Sequence, residues 1–155
     1  PIVKPLWSFL KTTKDFPQAH TITDQVIVAD TFMLAPIIEK NQTIKFIVKP
    51  PGRWYCYPGG YEIHESTNFL VTIMDTPIFL SGGKIILVYK EIGSTTIETL
   101  QKENLEMFIA LNENDEAFGE VYIDDGVSYN YLNGSFINIM MYLKKGILSY
   151  YISSL

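Results

Sequence analysis

The chain has 155 residues, enough for one sizeable hydrophobic core or two thin ones. Its 20 Ile, 8 Val and 12 Thr, with 19 Tyr and Phe, favour strands over helices. Twelve basic against seventeen acidic side chains give a net charge of -5 without a Lys/Arg run longer than two, which argues against a nucleic-acid surface.

The lone Cys56 rules out an internal disulfide. His20 and His64 are far apart and have no companions at ligand spacing, so neither a metal nor a cofactor is expected. No apolar run reaches membrane-spanning length and no leader peptide is visible. The opening Pro-Ile-Val-Lys-Pro reads as the interior of a longer polypeptide.

Residues 1–25 read as irregular, because Pro5, Pro17 and scattered threonines deny them a long helix, with Trp7 and Phe9 as anchors. A turn around Ala29-Asp30 and a buried strand over 32–38 follow; a short helix within 24–30 is the competing expectation. Ile44, Phe46 and Val48 alternate with Thr43, Lys45 and Ile47 and predict a strand over 43–48, ended by Pro50-Pro51-Gly52. Arg53-Trp54-Tyr55 starts a strand or wide turn, and further strands are predicted over 69–73 and 77–80. After Ser81-Gly82-Gly83, residues 84–89 lack alternation and predict a strand covered on both faces.

The Thr/Ser-rich stretch 91–99 reads as a linker and domain boundary. Leu105, Met107, Ile109 and Leu111 share one strand face, and the polar tract 112–116 predicts a hairpin to a return strand over 119–123. Asp124-Asp125-Gly126 closes that strand. Strands over 136–143 and 147–152 flank Lys144-Lys145-Gly146, a hairpin connection. Such strands and turns predict an all-β chain of antiparallel β-sandwich type. The strand over 147–152 is expected to be an exposed edge, prone to self-pairing.

Two constellations could carry chemistry. Asp124 and Asp125 are the obvious carboxylates, but a glycosidase pair must flank the bond to be cut at about 5 to 9.5 Å. Neighbours at a strand end point to opposite sides, so one can reach a ligand while the two do not form that pair. The alternative is a turn in which they cap backbone amides, with Gly126 at positive φ. Calcium held by Asp124, Asp125 and Glu120 lacks the spacing of a known calcium loop. The second constellation is Trp54, Tyr55, Tyr57 and Tyr61, rings suited either to stacking on a sugar or to filling a core or domain interface. Asn41-Gln42-Thr43 and Asn133-Gly134-Ser135 match the N-glycosylation pattern. No nucleophile elbow or phosphate loop is present.

Five segments in order carry a resemblance. They are Asp24-Gln25; Ala35-Pro36-Ile37-Ile38; Pro50-Pro51-Gly52-Arg53-Trp54-Tyr55; Pro77 to Gly83; and Ala117 to Gly126, which reads Ala-Phe-Gly-Glu-Val-Tyr-Ile-Asp-Asp-Gly. Together they resemble glycoside hydrolase family 31, the α-glucosidases. The chain departs from the pattern at Cys56 (usually Asp), Ser81 (usually Arg), Ile86-Leu87 (usually Ile-Pro) and Ala29 (usually Gly).

The resemblance implies the C-terminal part of a larger (β/α)8-barrel glycosidase. Residues 1–25 would be the tail of the barrel region, 26–92 the proximal C-terminal β-sandwich and 93–155 the start of the distal one. It places the catalytic nucleophile and acid in the barrel, outside this chain, so no catalytic residue is carried over and the 155 residues alone should be inactive. The partners it implies are the barrel of the same polypeptide and, through it, an oligosaccharide. Residues 94 and 128–131 look most like the glucosidase II branch, which implies a non-catalytic β subunit and the endoplasmic reticulum lumen; lysosomal or secreted members are the alternative. A free-standing carbohydrate-binding or structural sandwich module is the competing reading.

Overall fold

The computed structural model describes residues 1–10, 19–90 and 104–153. Its thirteen strands and three short 3-10 turns contain no α-helix among the described residues. The chain forms two compact units, Pro1–Gly82 and Gly83–Leu155.

The first unit is a six-stranded antiparallel sheet and a two-stranded ribbon. The sheet runs β1 (Val3–Pro5), β2 (Val26–Val28), β3 (Phe32–Leu34), β8 (Ile78–Ser81), β5 (Trp54–Tyr57) and β6 (Glu62–Ile63). The ribbon pairs β4 (Ile44–Ile47) with β7 (Thr67–Leu70). Alternation places Ile27, Met33, Phe79, Trp54 and Ile63 inward, where they meet Ile47 and Val48. Phe69 of the ribbon packs edge-on against Phe79 at 5.3 Å, joining the layers.

Two polar devices complete this core. Gln25 is buried and mimics a strand pairing: its Oε1 accepts from the Val48 N–H at 2.9 Å and its Nε2 donates to the Val48 carbonyl at 3.0 Å. Lys45 is 1% exposed, and its ammonium is neutralised by Asp24 and donates to the Pro36 carbonyl. These two contacts give the Asp24-Gln25 pair a structural reason.

Several expectations need correction. Residues 1–25 are not irregular throughout: β1 pairs with β2, and Leu6 in the following 3-10 turn (Leu6–Phe9) is fully buried. Pro5 is compatible with this because β1 is an edge strand. The helix within 24–30 is replaced by β2, since Ala29 and Asp30 have φ of 51° and 52° and turn the chain straight back into β3. That strand ends at Leu34 rather than at residue 38.

The second unit is a five-stranded sheet in the order β10 (Leu105–Ala110), β9 (Lys84–Tyr89), β11 (Ala117–Ile123), β12 (Ile137–Lys144), β13 (Ile147–Ser153). The predicted hairpin between 105–111 and 119–123 does not form. β9 lies between its two arms, antiparallel to β10 and meeting β11 in a single parallel pairing, Phe118 with Lys84. The start of β9 bridges them, with the Gly83 N–H donating to the Ala110 carbonyl and the Phe118 N–H donating to the Gly83 carbonyl. The 112–116 tract instead closes on itself, with Asn112 N–H donating to the Glu116 carbonyl at 3.0 Å.

β9 and β11 approach so closely that a Cβ on Gly119 would stand 2.3 Å from the Ile85 carbonyl oxygen. This gives the glycine of the Ala-Phe-Gly-Glu segment its reason. Ile85, Ala117 and Met141 form the small core there. The Lys144-Lys145-Gly146 turn forms as expected, with Lys145 and Gly146 at φ 51° and 74°. β13 is an edge strand and is exposed on both faces. The expected linker over 91–99 lies outside the described residues. The division into units falls at Gly82 and Gly83, so β9 stands with the second unit.

Candidate functional site

The aromatic group predicted from Trp54, Tyr55 and Tyr57 is split by strand alternation. Trp54 faces inward, is 0% exposed and packs edge-on against Phe9 at 5.8 Å, with its indole N–H donating to the Pro51 carbonyl. It has no face to offer a sugar, so of the two readings open for this ring the buried position fits core packing. Tyr55 and Tyr57 point to the other side and are half-buried. Arg53 lies 5.5 Å above the Tyr55 ring, and its guanidinium donates to Glu62 at 2.8 and 3.0 Å. That hydrogen bond and the guanidinium charge hold the Glu62 carboxyl below the usual carboxylate range. Tyr57 meets Phe32 edge-on at 6.1 Å.

Asp124 and Asp125 follow β11, and the structure uses both as turn caps. Asp124 Oδ1 accepts from the Gly126 N–H at 2.8 Å, and Gly126 has φ of 66°. Asp125 Oδ1 accepts from the Val127 and Ser128 N–H groups at 3.1 and 2.9 Å, and its other oxygen accepts from the Ser128 hydroxyl. The Ser128 hydroxyl first, then the two amides, hold the Asp125 carboxyl below its ordinary range. Asp124 stands beside the Tyr122 hydroxyl; desolvation and then this carboxylate raise the phenol. Glu120 is not with them, since its Oε1 accepts from Asn138 Nδ2 at 2.8 Å. Among the described residues no three His, Cys, Asp or Glu side chains gather as a metal site. Asn41 and Asn133 are both exposed, Asn41 at φ 63° and Asn133 at the end of a 3-10 turn (Asn130–Asn133). His20 and His64 are exposed; His64 Nδ1 stands 3.9 Å from Glu62 Oε1, beside the Arg53–Glu62 pair.

The structure forms an open cleft that the sequence reading missed. Its volume is about 220 Å³, at the end of the second unit's sheet, and its walls include Phe118, Tyr142, Glu116, Lys144 and Asn112. Phe118 and Tyr142 are paired across β11 and β12, with ring centroids 4.9 Å apart and planes inclined at 45°. Lys144 Nζ and Glu116 Oε1 form an ion pair at 2.8 Å, and Glu116 raises the lysine's affinity for its proton. Asn112 fixes the wall, its Oδ1 accepting from the Asn114 and Glu116 N–H groups at 2.9 and 3.0 Å. The available signal was the opposite parity of β11, where Phe118, Glu120 and Tyr122 alternate with the inward Ala117, Gly119 and Val121.

A profile of the glycosyl hydrolase family 31 C-terminal domain matches residues 1–86. The chain belongs to glycosyl hydrolase family 31. A 1,6-alpha-glucosyltransferase of Sporosarcina globispora is 31% identical over 141 residues, covering 87% of this chain and 10% of that protein. The neutral alpha-glucosidase AB of Homo sapiens is 27% identical over 139 residues, covering 84% and 14%. The chain therefore spans a small fraction of the length of these family 31 relatives. A Tris-bound glucosidase II alpha subunit superposes with a TM-score of 0.78 at 21% identity, over 97% of this chain and 16% of its own. A Flavobacterium johnsoniae family 31 dextranase complexed with glucose gives 0.72 at 19% identity, over 93% and 18%. These two likenesses establish the all-β, sandwich-type fold of the C-terminal region, as the sequence pattern led one to expect.

Proposed function

We propose that this chain is the non-catalytic C-terminal portion of a retaining α-glucosidase that removes terminal α-linked glucose from oligosaccharides or N-glycans. In this reading the two reacting carboxylates, about 5 to 5.5 Å apart in a retaining enzyme, belong to a barrel elsewhere in the same polypeptide. Residues 1–25 are then the tail of the barrel region, 26–92 the proximal sandwich and 93–155 the first strands of the distal one. In its glucosidase II form the reading adds a non-catalytic β subunit as partner and the endoplasmic reticulum lumen as location, where Asn41 and Asn133 are open to glycosylation.

The observation that carries it is the burial of Trp54. A free-standing sugar-binding module built on residues 54–57 would leave that ring exposed, whereas a supporting domain puts it in the core. The capping roles of Asp124 and Asp125 agree, since carboxylates that accept from the amides of their own turn are poor candidates for a reacting pair.

The test is hydrolysis of an aryl α-glucoside by this chain and by the longest polypeptide from its source that contains it. Turnover only by the longer polypeptide is expected. Turnover by the 155 residues alone would overturn the reading.

A further inference from the structure

The outer face of β11 and β12 carries an ordered row of side chains with no structural task in the core. At one end is the Phe118–Tyr142 pair, 39% and 47% exposed, in the cleft beside Glu116 and Lys144. In the middle stand Glu120 and its register partner Met140, and Asn138, opposite Tyr122, donates back to Glu120 at 2.8 Å. At the other end Tyr122, 52% exposed, stacks on Phe136 with centroids 5.3 Å apart and planes within 27°. Phe118 and Tyr122 are four residues apart on one strand, so the two aromatic ends stand roughly 13 Å apart.

We propose that this strip is a second, non-catalytic saccharide-binding site, taking one pyranose ring in the cleft and the following rings of a gluco-oligosaccharide along β11 and β12. Each part of the row suits a part of that ligand. A pyranose has a C–H face that packs on an aromatic ring, and hydroxyls that both donate and accept at its rim. Phe118 and Tyr142 supply the ring surface, Glu116 accepts, and Lys144 donates. The cleft is smaller than a drug-sized pocket of about 300 to 1,000 Å³, as a site for a single sugar ring should be. The 13 Å row beyond it then fits a chain and not a monosaccharide.

Other ligand classes fit less well. Lys144 in the cleft wall is already paired with Glu116, so a phosphate would have to compete with that carboxylate for it. An apolar peptide would have to desolvate the Lys144–Glu116 and Asn138–Glu120 pairs without replacing their bonds. A sugar can share them.

The identity of the sugar as glucose rests on the α-glucosidase reading, while the site rests on the side chains alone. The test uses the longest polypeptide carrying this chain, run through native gels containing amylopectin or dextran. Its hydrolysis of an aryl α-glucoside is measured on the same sample. Retardation by at least one polymer is expected, weakened about fivefold or more in apparent Kd by Tyr142→Ala and retained by Tyr142→Phe, with the aryl glucoside turned over at the parental rate.

Migration unaffected by either polymer, or retardation identical in parent and Tyr142→Ala, would overturn the site. Should Tyr142→Ala lose its thermal transition, Tyr122→Ser at the exposed far end of the row replaces it, with the same expectation. A parent that binds polymer through Tyr142 but turns over no glucoside would sink the α-glucosidase reading and leave the site standing.

Discussion

The two units have strands of similar apolar content but very different cores. In Pro1–Gly82 nine residues close into one buried cluster around Trp54, because the β4–β7 ribbon covers one face of the six-stranded sheet. In Gly83–Leu155 the buried cluster among the described residues is just Ile85, Ala117 and Met141, with Ala110 buried apart from it. Leu105, Met107 and Ile109 of β10 share a parity that looks like a core face and yet remain 39–46% exposed. β13 goes further, with Ile147, Tyr150, Tyr151 and Ile152 all more than half exposed. Alternation therefore says which side chains could be buried together. Whether they are depends on a second layer, and among the described residues only the first unit has a closed one.

The sharpest way to break this comparison is to truncate one large apolar side chain in each unit. Trp54→Ala is expected to destabilise the first unit by about 3–5 kcal/mol, the usual loss for a fully buried indole. Tyr150→Lys on β13, where the parent ring is 70% exposed, is expected to stay within about 0.5 kcal/mol. It should also reduce self-association in sedimentation, because a lysine blunts an open strand edge. Amide hydrogen exchange followed residue by residue separates the units. Equal losses of protection would mean that β13 is covered in solution and that the contrast is false.

Within the second unit the next largest effect belongs to its smallest side chain. Gly119→Ala places a methyl 2.3 Å from the Ile85 carbonyl oxygen and 2.8 Å from Ile85 Cβ. The obstacle is backbone, so the strands must part, at an expected loss of about 1–3 kcal/mol. Gly146→Ala is an informative contrast, since a Cβ there meets nothing within 4 Å and only the left-handed φ of 74° opposes it. Urea midpoints for the two variants should rank Gly119→Ala as the more damaging; the reverse order would mean that β9 and β11 do not approach as closely as described.

These contrasts show which parts of the fold could be read from residues. The strand over 84–89, the Lys144-Lys145-Gly146 hairpin and the all-β class depend on local alternation and turn chemistry, and they were legible. The insertion of β9 between β10 and β11 was not. A polar tract such as 112–116 looks the same whether it joins neighbouring strands or steps over a third, because pairing partners leave no mark on alternation. The burial of Lys45 was equally hidden, since it depends on Asp24 arriving from 21 residues earlier. At the candidate site the density of rings over 54–57 outweighed their parity, so Trp54 was grouped with Tyr55 and Tyr57 although alternate residues face opposite ways. Phe118 and Tyr142 are spread across two strands and become a pair only through the β11–β12 register.

The smallest effect sharpens the comparison in electrostatic terms. Each unit holds one carboxyl below its ordinary range, but by different means: Glu62 through the Arg53 guanidinium, Asp125 through the Ser128 hydroxyl and the amides of Ser128 and Val127. In both cases the folded value lies below the unfolded one, which is about 4.3 for glutamate and 3.9 for aspartate. Each therefore contributes stability that is fully present above its unfolded value and is lost as pH falls through the folded value. Carbon-detected NMR titration should find both carboxyls ionising below the free side chains. Raising the salt concentration should move Glu62 back upward, since its partner is a part-exposed charge, and leave Asp125 nearly fixed, because neutral donors beside it are not screened. Ser128→Ala should raise Asp125 and leave Glu62 alone. A salt response of equal size at both would show that the charge balance around 124–128, and not the Ser128 turn, sets the ionisation of Asp125.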